Sequence, residues 1–407
     1  MVFDASVIIA GAGPSGSIAA RQLSLAGVDV LILEKASFPR YKVCGGGLTW
    51  KTFREIPFDL TPVVETVINS VRFSCHFRET FTRSSSEPLM ACTMRDRLDQ
   101  RLLDKAVEAG ARIRFGEPVS DLEEKSDHVV VKARDRSFTC HLLLGADGAS
   151  SLVAHASGLR IHLDQGLAWE AELEADPVYL DRYARTVFLD WGTFPGGYGW
   201  IFPKQDHFSA GVGGPAYLSR QMKSYYEQFI RSTGITFTHT RSWKAWPIPV
   251  KSRKSRFHSG RVLVTGDAAG LTDPLTGEGI YYAVRSGQIA AETMLDLLDN
   301  RAISLQFYTD RINDLLMPEI LEARRIRAIF QAVPFRIHRL VQHRERVWNA
   351  FGKVLRGERA YRDVKRGFGR WKLLWHAACT LADFVYSIRK HVFVLLSRYF
   401  AISPSIK

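Results

Sequence analysis

The chain has 407 residues, of which 46% are hydrophobic and 24% are charged. It is long enough for two or three folding units with apolar cores, and this composition excludes a disordered or fibrous protein. The formal net charge of +13 is unevenly placed. Residues 319–407 contain 19 Lys and Arg against 6 Asp and Glu, whereas the rest of the chain has 36 of each. This asymmetry predicts an acidic partner for the C-terminal region.

The cysteines are scattered and odd in number: Cys44, Cys75, Cys92, Cys140 and Cys379. They form no CxxC pair and no Cys/His ligand cluster, which predicts reduced thiols, a cytoplasmic setting and no structural metal. A strand-like apolar run begins within the first ten residues. We therefore expect no signal or transit peptide.

The N-terminal fifty residues are the most informative part of the chain. An apolar run leads into GAGPSG (residues 11–16), then a small-residue segment and a second apolar run that ends at Glu34. This order predicts a strand, a glycine turn, a helix and a strand, which together bind the ADP half of a dinucleotide. Gly11 permits the tight turn, Gly13 lets the backbone approach a pyrophosphate, and Gly16 allows close helix–strand packing. Glu34 can accept hydrogen bonds from ribose hydroxyls.

Two further motifs narrow the cofactor. GADG (145–148) ends one strand-like run, and GDAA (266–269) ends another, before GEGI (277–280). Asp267 can bind a ribityl hydroxyl. A helix that begins at Gly279 and Ile280 can place N–H groups and a positive dipole beside the pyrimidine edge of a flavin. The three motifs in this order predict FAD.

Segments of the dinucleotide fold alternate with segments of another kind. The predicted FAD-binding segments are 1–70, 95–158 and 255–300. The predicted substrate-binding segments, rich in strand signals, are 71–94 and 159–254, and residues 301–407 are predicted to form a basic helical region. This interleaving is unlike a simple dehydrogenase, in which the binding domain is usually continuous.

Two more segments point to a family. They are RYKVCGGGL (40–48) and PGGYGWIFP (195–203). With them the chain resembles the FAD-dependent oxidoreductases of the para-hydroxybenzoate hydroxylase-like fold, and within these the geranylgeranyl reductase family, over about residues 5–330. The first segment is similar to the family's Cys-Gly-Gly loop beside the flavin. The second matches the family's PxxYxWxFP pattern, which lines the isoprenoid cavity, at every fixed position.

The resemblance implies an α/β fold in which a Rossmann-like FAD-binding domain of the GR2 type is interleaved with an antiparallel-sheet substrate domain, followed by a helical C-terminal region. It also implies that Arg95 contacts FAD and that Val119 gives a backbone contact on the adenine side. The candidate cofactor-binding residues are Gly11, Gly13, Ser15, Gly16, Glu34, Lys35, Cys44, Gly45, Gly47, Arg95, Val119, Asp267, Gly279 and Ile280. The candidate substrate-binding residues are Tyr198, Trp200, Phe202 and Pro203, and the candidate catalytic residues are Cys44, Tyr198 and Trp200.

The residues themselves leave two interpretations open at these positions. Tyr198, Trp200 and Phe202 alternate, so a strand would place all three on one face. They could wall a tunnel for a long apolar chain or be ordinary core aromatics of a sheet. Cys44 precedes three glycines, so its thiol could lie close to a ring system or be an inert buried thiol.

The implied activity is reduction of isolated C=C bonds in a geranylgeranyl or other prenyl chain, on a lipid or a prenyl diphosphate. Reduced flavin would deliver hydride from N5, and NADPH or ferredoxin would supply the electrons. The thiol of Cys44 or an ordered water would help supply the proton, with Tyr198 shaping the approach.

The main alternative is an FAD-dependent monooxygenase of an aromatic or quinone-type substrate. Many such enzymes have His after Gly-Asp-Ala-Ala and Gln in the next glycine turn, where this chain has Gly270 and Glu278. A flavin halogenase would have a second Trp at the position of Tyr198. A non-enzymatic flavoprotein that carries prenyl lipids is an alternative from another class.

The C-terminal region interleaves aromatic and apolar residues with cations, which suits the boundary of an anionic bilayer. Its longest uncharged run, 373–382, has ten residues, too short to span a bilayer at roughly 20. This predicts a peripheral contact with the inner face of the membrane. The alternative is a helical domain that packs on the body. No nucleic-acid motif accompanies the charge, so no nucleic-acid partner is expected.

Overall fold

The apolar runs of the dinucleotide-fold segments form one largely parallel sheet. The computed structural model describes residues 3–299, 301, 304–363, 377, 379–388 and 392. Numbered in chain order, the strands of the first sheet are β1 (Ala5–Ala10), β2 (Val30–Glu34), β8 (Arg112–Phe115), β9 (Val119–Glu124), β10 (Val129–Ala133), β11 (Arg136–Gly145), β17 (His258–Ser259) and β18 (Val262–Val264). Strands β8, β2, β1, β11 and β18 lie side by side and parallel, and β9, β10 and β17 pair antiparallel at the periphery. The central strands are buried on both faces, as near-continuous Val, Ile and Leu runs predict.

The second sheet is antiparallel apart from one parallel pair, β5 with β13. Its strands are β5 (Ser70–Cys75), β6 (Arg78–Ser84), β12 (Leu163–Ala175), β13 (Thr186–Trp191), β14 (Tyr198–Pro203), β15 (Phe208–Pro215) and β16 (Phe237–Lys251). Their order is β16, β12, β15, β14, β13, β5, β6. A third, small sheet contains β3 (Gly47–Thr49), β4 (Val64–Ile68) and β7 (Met90–Thr93). The segment 71–94, expected within one domain, is therefore divided between two sheets, because β7 pairs with β3 and β4.

The helices are α1 (Pro14–Leu25), α2 (Trp50–Glu55), α3 (Arg95–Glu108), α4 (Leu152–Ala156), α5 (Pro177–Tyr183), α6 (Ser219–Ser232), α7 (Ile280–Leu298), α8 (Gln306–Leu315), α9 (Met317–Ala332), α10 (Pro334–His343) and α11 (Glu345–Leu355). Helices α1 to α6 lie between strands in the chain, and α7 to α11 follow the last strand. Residues 379–388 are also helical. α5 and α6 lie in the segment expected to be sheet and loops; α6 packs its apolar side, including Met222 and Phe229, on one face of the second sheet.

The predicted fold class is confirmed: a Rossmann-like domain is interleaved with an antiparallel sheet, and helices follow. Much of the basic tail on which the membrane prediction rested, including Trp371, Leu373, Trp375, Phe393 and Phe400, lies outside the described residues.

Close packing of α1 on α7 holds the N-terminal turn in place. A Cβ at Gly287 of α7 would lie 2.5 Å from the carbonyl oxygen of Ser15 in α1. We expect Gly287→Ala to lower the free energy of unfolding by about 1–3 kcal/mol, because the helices must separate. Gly352→Ala in α11 is the matched control, since its Cβ would meet a flexible arginine at 3.2 Å. The control should be neutral or stabilising by up to about 1 kcal/mol. Urea unfolding of the holoprotein measures both, and equal stability of the two variants would contradict this packing argument.

Candidate active site

The three glycine motifs meet at one edge of the first sheet. β1, β2, β11 and β18 are parallel, so their carboxyl ends lie at the same edge. Gly11 follows β1, Glu34 ends β2, the GADG motif (145–148) ends β11, and the GDAA motif (266–269) follows β18. In open α/β sheets this edge is where ligands bind.

The N-terminal turn needs its glycines for packing. Gly11 has φ +102°, and a Cβ there would lie 2.5 Å from the carbonyl oxygen of Ala146. A Cβ at Gly16 would lie 2.0 Å from the carbonyl oxygen of Gly11. Glu34 is buried and accepts hydrogen bonds from the backbone N–H groups of Ala12 (2.7 Å) and Ala36 (2.9 Å). The turn is therefore a tightly fixed backbone cradle with a carboxylate beside it.

The donors in this cradle fit the ADP half of FAD. α1 begins at Pro14 after Gly13, and it has neither a side-chain cap nor an acidic residue in its first turn. A helix start of this kind favours a phosphate. The cradle opens into a cavity of about 1250 Å³, which reaches from Glu34 past the loop 44–47 to Asp267 and Gly279. Every candidate cofactor-binding residue lines this cavity except Gly16, which lies behind the turn.

At its other end the cavity meets a second helix start. Gly279 is the N-cap residue of α7, which has no side-chain cap and no acidic residue in its first turn. Asp267 lies beside it, since a Cβ at Gly279 would be 3.2 Å from Oδ1 of Asp267. Ile280 is buried under the loop. This arrangement matches the one predicted for the flavin ring.

Glu278 has a structural role in the same loop. Its Oε1 accepts hydrogen bonds from Thr49 and Thr52 at 2.5 Å, and its Oε2 lies 3.1 Å from Nζ of Lys51. These contacts tie the loop to α2 and leave Glu278 engaged by neighbouring side chains.

The Cys-Gly loop packs directly on the aromatic strand. A Cβ at Gly45 would lie 2.8 Å from Nε1 of Trp200 and 2.9 Å from the ring of Phe202. A Cβ at Gly47 would lie 2.8 Å from Phe202. Buried Lys204 donates hydrogen bonds to the carbonyl oxygens of Gly45 (2.7 Å) and Thr93 (2.9 Å). The glycines therefore let the loop lie flat on the two rings.

Tyr198, Trp200 and Phe202 all line the cavity from β14, as the alternation on a strand predicts. Tyr198 donates its hydroxyl proton to the carbonyl oxygen of Thr276, which joins the strand to the α7 loop. Burial raises the pKa of Tyr198. Pro203 lies outside the cavity lining, and its carbonyl oxygen accepts a hydrogen bond from Thr66 at 2.9 Å.

Arg95 and Cys44 contact each other at the cavity wall. The Arg95 guanidinium is buried, forms two hydrogen bonds of 2.8 Å to Asp99 and also bonds to the Cys44 side chain. Arg40 lies 3.2 Å from the same carboxylate. Burial opposes the charge of Arg95, but Asp99 raises its pKa, so the cation is held at this wall. Lys35 is exposed at the rim near Glu34.

An apolar arm extends the cavity beyond the Cys-Gly loop. It runs between the second sheet and the helices α9 and α11. Its lining includes Val71, Leu89, Val187, Leu189 and Phe351. Val71, Leu89 and Val187 belong to a packed apolar cluster, and the partly buried Leu189 and Phe351 pack against it.

Three residues that line the cavity, Tyr41, Lys42 and Glu170, were not predicted, and neither was the buried Lys204 that holds the Cys-Gly loop. Burial lowers the pKa of Lys42 to about 8, and its Nζ lies 3.8 Å from the centre of the Trp246 ring. Glu170 is fully buried, and its Oε1 accepts a hydrogen bond from the Cys44 N–H at 3.1 Å. The alternation of Glu170, Glu172 and Glu174 in a strand-like stretch was the available signal, because it places three carboxylates on one face of a sheet.

The described residues 3–299, 301, 304–363, 377, 379–388 and 392 contain neither a metal cluster nor a membrane-spanning helix. Within these stretches no group of three or more His, Cys, Asp or Glu side chains is arranged to hold a metal ion. No helix in the described part of the chain combines the length and apolar character needed to cross a bilayer.

Comparison with known proteins places the chain among flavoproteins. Residues 4–311 match the family described as FAD binding domain. The chain is 30% identical over 322 residues to the menaquinone reductase of Mycobacterium tuberculosis, covering 74% of this chain and 78% of that protein. It is 29% identical over 309 residues to the geranylgeranyl diphosphate reductase of Rhodobacter capsulatus, covering 73% and 76%.

A solved structure shows the same fold. The geranylgeranyl bacteriochlorophyll reductase-like protein of Thermoplasma acidophilum superimposes with a TM-score of 0.71 at 22% identity, covering 80% of this chain and 87% of that protein. The FAD motifs, the shared fold and these relatives agree with the predicted cofactor and enzyme class. The chain belongs to the geranylgeranyl reductase family of FAD-dependent oxidoreductases.

Proposed function

We propose that this protein saturates isolated C=C bonds of a geranylgeranyl or related prenyl chain, carried on a lipid or a prenyl diphosphate. The observation that carries the proposal is the apolar arm, which continues the cofactor cavity past the Cys-Gly loop. A long hydrocarbon chain needs an apolar tunnel rather than ionic clamps. Relatives named for geranylgeranyl diphosphate and for digeranylgeranylglycerophospholipid support this substrate class.

The residues of the wall have distinct roles in this proposal. FAD bound in the cavity would, once reduced, supply hydride at N5. Trp200 and Phe202, on whose rings the Cys-Gly loop packs, border the prenyl chain, and Tyr198 closes the wall through its hydrogen bond to Thr276. The proton for the second carbon is proposed to come from an acidic group of the protein or from an ordered water. NADPH or ferredoxin is proposed as the external electron donor.

A cavity-filling variant tests the substrate class. Leu189→Trp places an indole in the apolar arm, so we expect kcat/KM for geranylgeranyl diphosphate to fall by tenfold or more, equivalent to at least about 1.4 kcal/mol. FAD content and reduction by dithionite should stay unchanged. Val178→Trp, at a residue 60% exposed on α5, is the matched control. The assay follows anaerobic flavin reoxidation and product mass, with two hydrogens gained for each double bond. A product that forms only with oxygen would identify a hydroxylase, and reoxidation by air alone would identify a carrier.

The same proposal includes a peripheral membrane contact at the cavity mouth. In the helical residues 379–388, Leu381, Phe384 and Ile388 are 63%, 63% and 48% exposed and share one face at spacings of three and four. Tyr386 lines the cavity beside Gly196, so this helix lies against the cavity. The positive charge of the C-terminal region favours an anionic surface. A prenyl lipid would thus pass from the bilayer to the apolar arm.

Vesicle binding tests this contact. The triple variant Leu381→Asp, Phe384→Asp and Ile388→Asp should weaken binding to vesicles that contain anionic lipid by more than tenfold, because each apolar side chain buried in the bilayer contributes about 1.5–3 kcal/mol. Leu25→Asp, at a leucine 60% exposed at the end of α1, is the control and should bind as the unmodified protein does. Equal binding of the triple variant would show that the apolar face does not contact the membrane.

A further inference from the structure

Three carboxylates alternate on the face of β12 that looks into the cavity. The register places Glu170 opposite Gly211, which is opposite Trp200, so Glu170 lies in the same cross-strand row as the aromatic wall. Glu170 is fully buried and lines the cavity, Glu172 is 4% exposed, and Glu174 reaches the surface, where Arg241 binds it at 2.7 Å. Burying an ionised carboxylate costs desolvation free energy, so the burial of both Glu170 and Glu172 calls for polar partners or a protonated form.

A continuous chain of polar contacts joins Glu170 to solvent. The Asp206 side chain is 64% exposed, and its Oδ1 lies 2.6 Å from Nδ1 of His207. Nε2 of buried His207 lies 3.0 Å from Oε2 of Glu172. The Tyr41 hydroxyl lies 3.3 Å from Oε1 of Glu172 and 3.4 Å from Oε1 of Glu170.

The hydrogen bonds around Glu170 and Glu172 indicate which of the two carboxyl groups is protonated. Tyr41 has one hydroxyl proton and faces two carboxylates, so it can donate to one of them at a time. Burial opposes ionisation of Glu172, but hydrogen bonds from His207 and Ser209 outweigh it and lower its pKa. Burial and the neighbouring charge of Glu172 raise the pKa of Glu170 to about 7. Glu172 is therefore the carboxylate and Glu170 the acid of the pair.

His207 completes the connection. Both of its ring nitrogens face carboxylate oxygens, and Nδ1 also lies 3.3 Å from a guanidinium nitrogen of Arg241. Burial opposes its charge, but the bonds to Glu172 and Asp206 raise its pKa. It bridges the exposed Asp206 and the buried Glu172.

One oxygen of Glu170 is left for a further partner. Oε1 accepts from the Cys44 N–H at 3.1 Å, while Oε2 is buried with no hydrogen-bond partner among the described residues. The Cys44 side chain accepts a hydrogen bond from the Arg95 guanidinium rather than contacting Glu170. Glu170 is thus better placed than the Cys44 thiol to hold a proton for the cavity.

We propose that Glu170 donates the proton that the prenyl double bond receives, and that Tyr41, Glu172, His207 and Asp206 return a proton to it from solvent. This inference rests on the proposed function. For each double bond one π bond breaks and two C–H bonds form. One hydrogen arrives as hydride from reduced FAD, with both electrons, and the other arrives as the Glu170 proton. One proton from solvent then restores the Glu170 acid.

The pH dependence follows from the groups around Glu170. They are Tyr41 and Cys44 from the loop, Glu172 on the same strand, Lys204 after β14, Ser242 and Lys244 on β16, and Tyr226 on α6. Because the raised pKa belongs to an acid that must be protonated to donate, the rate of reoxidation by substrate should fall as pH rises above about 7.

Infrared difference spectroscopy of the holoprotein tests the acid without any prenyl substrate. We expect a protonated-carboxyl band that titrates near pH 7 in the unmodified protein and in Glu174→Gln, and that is lost in Glu170→Gln. Persistence of the band in Glu170→Gln, or its absence from the unmodified protein, would overturn the assignment. FAD content and thermal unfolding confirm that the variant is folded.

Stopped-flow reoxidation by geranylgeranyl diphosphate tests the donation. Glu170→Gln should slow reoxidation about 100-fold or more and remove its pH dependence, with dithionite reduction unchanged. Glu170→Asp should restore part of the rate, and Glu174→Gln should behave as the unmodified protein. Tyr41→Phe should leave the first turnover fast and slow the later ones, because the return path is cut.

The outcomes separate this inference from the proposed function. If geranylgeranyl diphosphate never reoxidises the unmodified protein, the donation and the proposed function on a prenyl diphosphate both fail, whatever the infrared band shows. If it reoxidises the unmodified protein and Glu170→Gln at the same rate, the proposed function stands and Glu170 is not the donor.

Discussion

The structure depends on backbone contact at the carboxyl edge of the first sheet. The carbonyl oxygens of Gly11 and Ala146 lie where a Cβ at Gly16 or Gly11 would otherwise stand. Glycine alone allows the two turns and α1 to approach this closely, because any side chain would overlap a carbonyl oxygen. That approach fixes the start of α1 beside Glu34 and sets the position of the cofactor. The Cys-Gly loop and the aromatic strand β14 line the same cavity as this turn.

One face of the second sheet lines the cavity at that edge. Part of this face is apolar and part of it carries buried carboxyl groups. The indole of Trp200 lies over Gly211, since a Cβ there would be 2.3 Å from the ring. Leu189, Trp200, Gly211 and Glu170 lie opposite one another across four neighbouring strands. The β13 end of this row, at Leu189, is apolar, and the β12 end holds Glu170 and its partners. The hydrocarbon wall and Glu170 are compatible because a low-dielectric surrounding favours the neutral form of a carboxyl group, whereas Glu172 is balanced by hydrogen bonds from His207 and Ser209.

Hydrogen bonds between segments that are far apart in the chain hold the site together. Tyr198 binds the carbonyl oxygen of Thr276, Lys204 binds that of Gly45, and Glu278 binds Thr49 and Thr52. Each contact joins a strand or loop of one segment to a loop of another. Buried polar contacts of this kind specify one arrangement, because breaking any of them leaves an unpaired buried group.

The sequence by itself determined the cofactor fold, since GAGPSG, Glu34 and GDAA are local patterns. Each glycine of GAGPSG is required by its immediate neighbours, for a tight turn, for approach to a pyrophosphate or for close helix–strand packing. It also determined that Tyr198, Trp200 and Phe202 share a face, because strand periodicity is local. The tertiary structure alone decided the rest. Glu170 and Tyr41 are 129 residues apart and became a pair through sheet register and loop packing. Their contact and the burial of Glu170 are properties of that register, which no local pattern encodes.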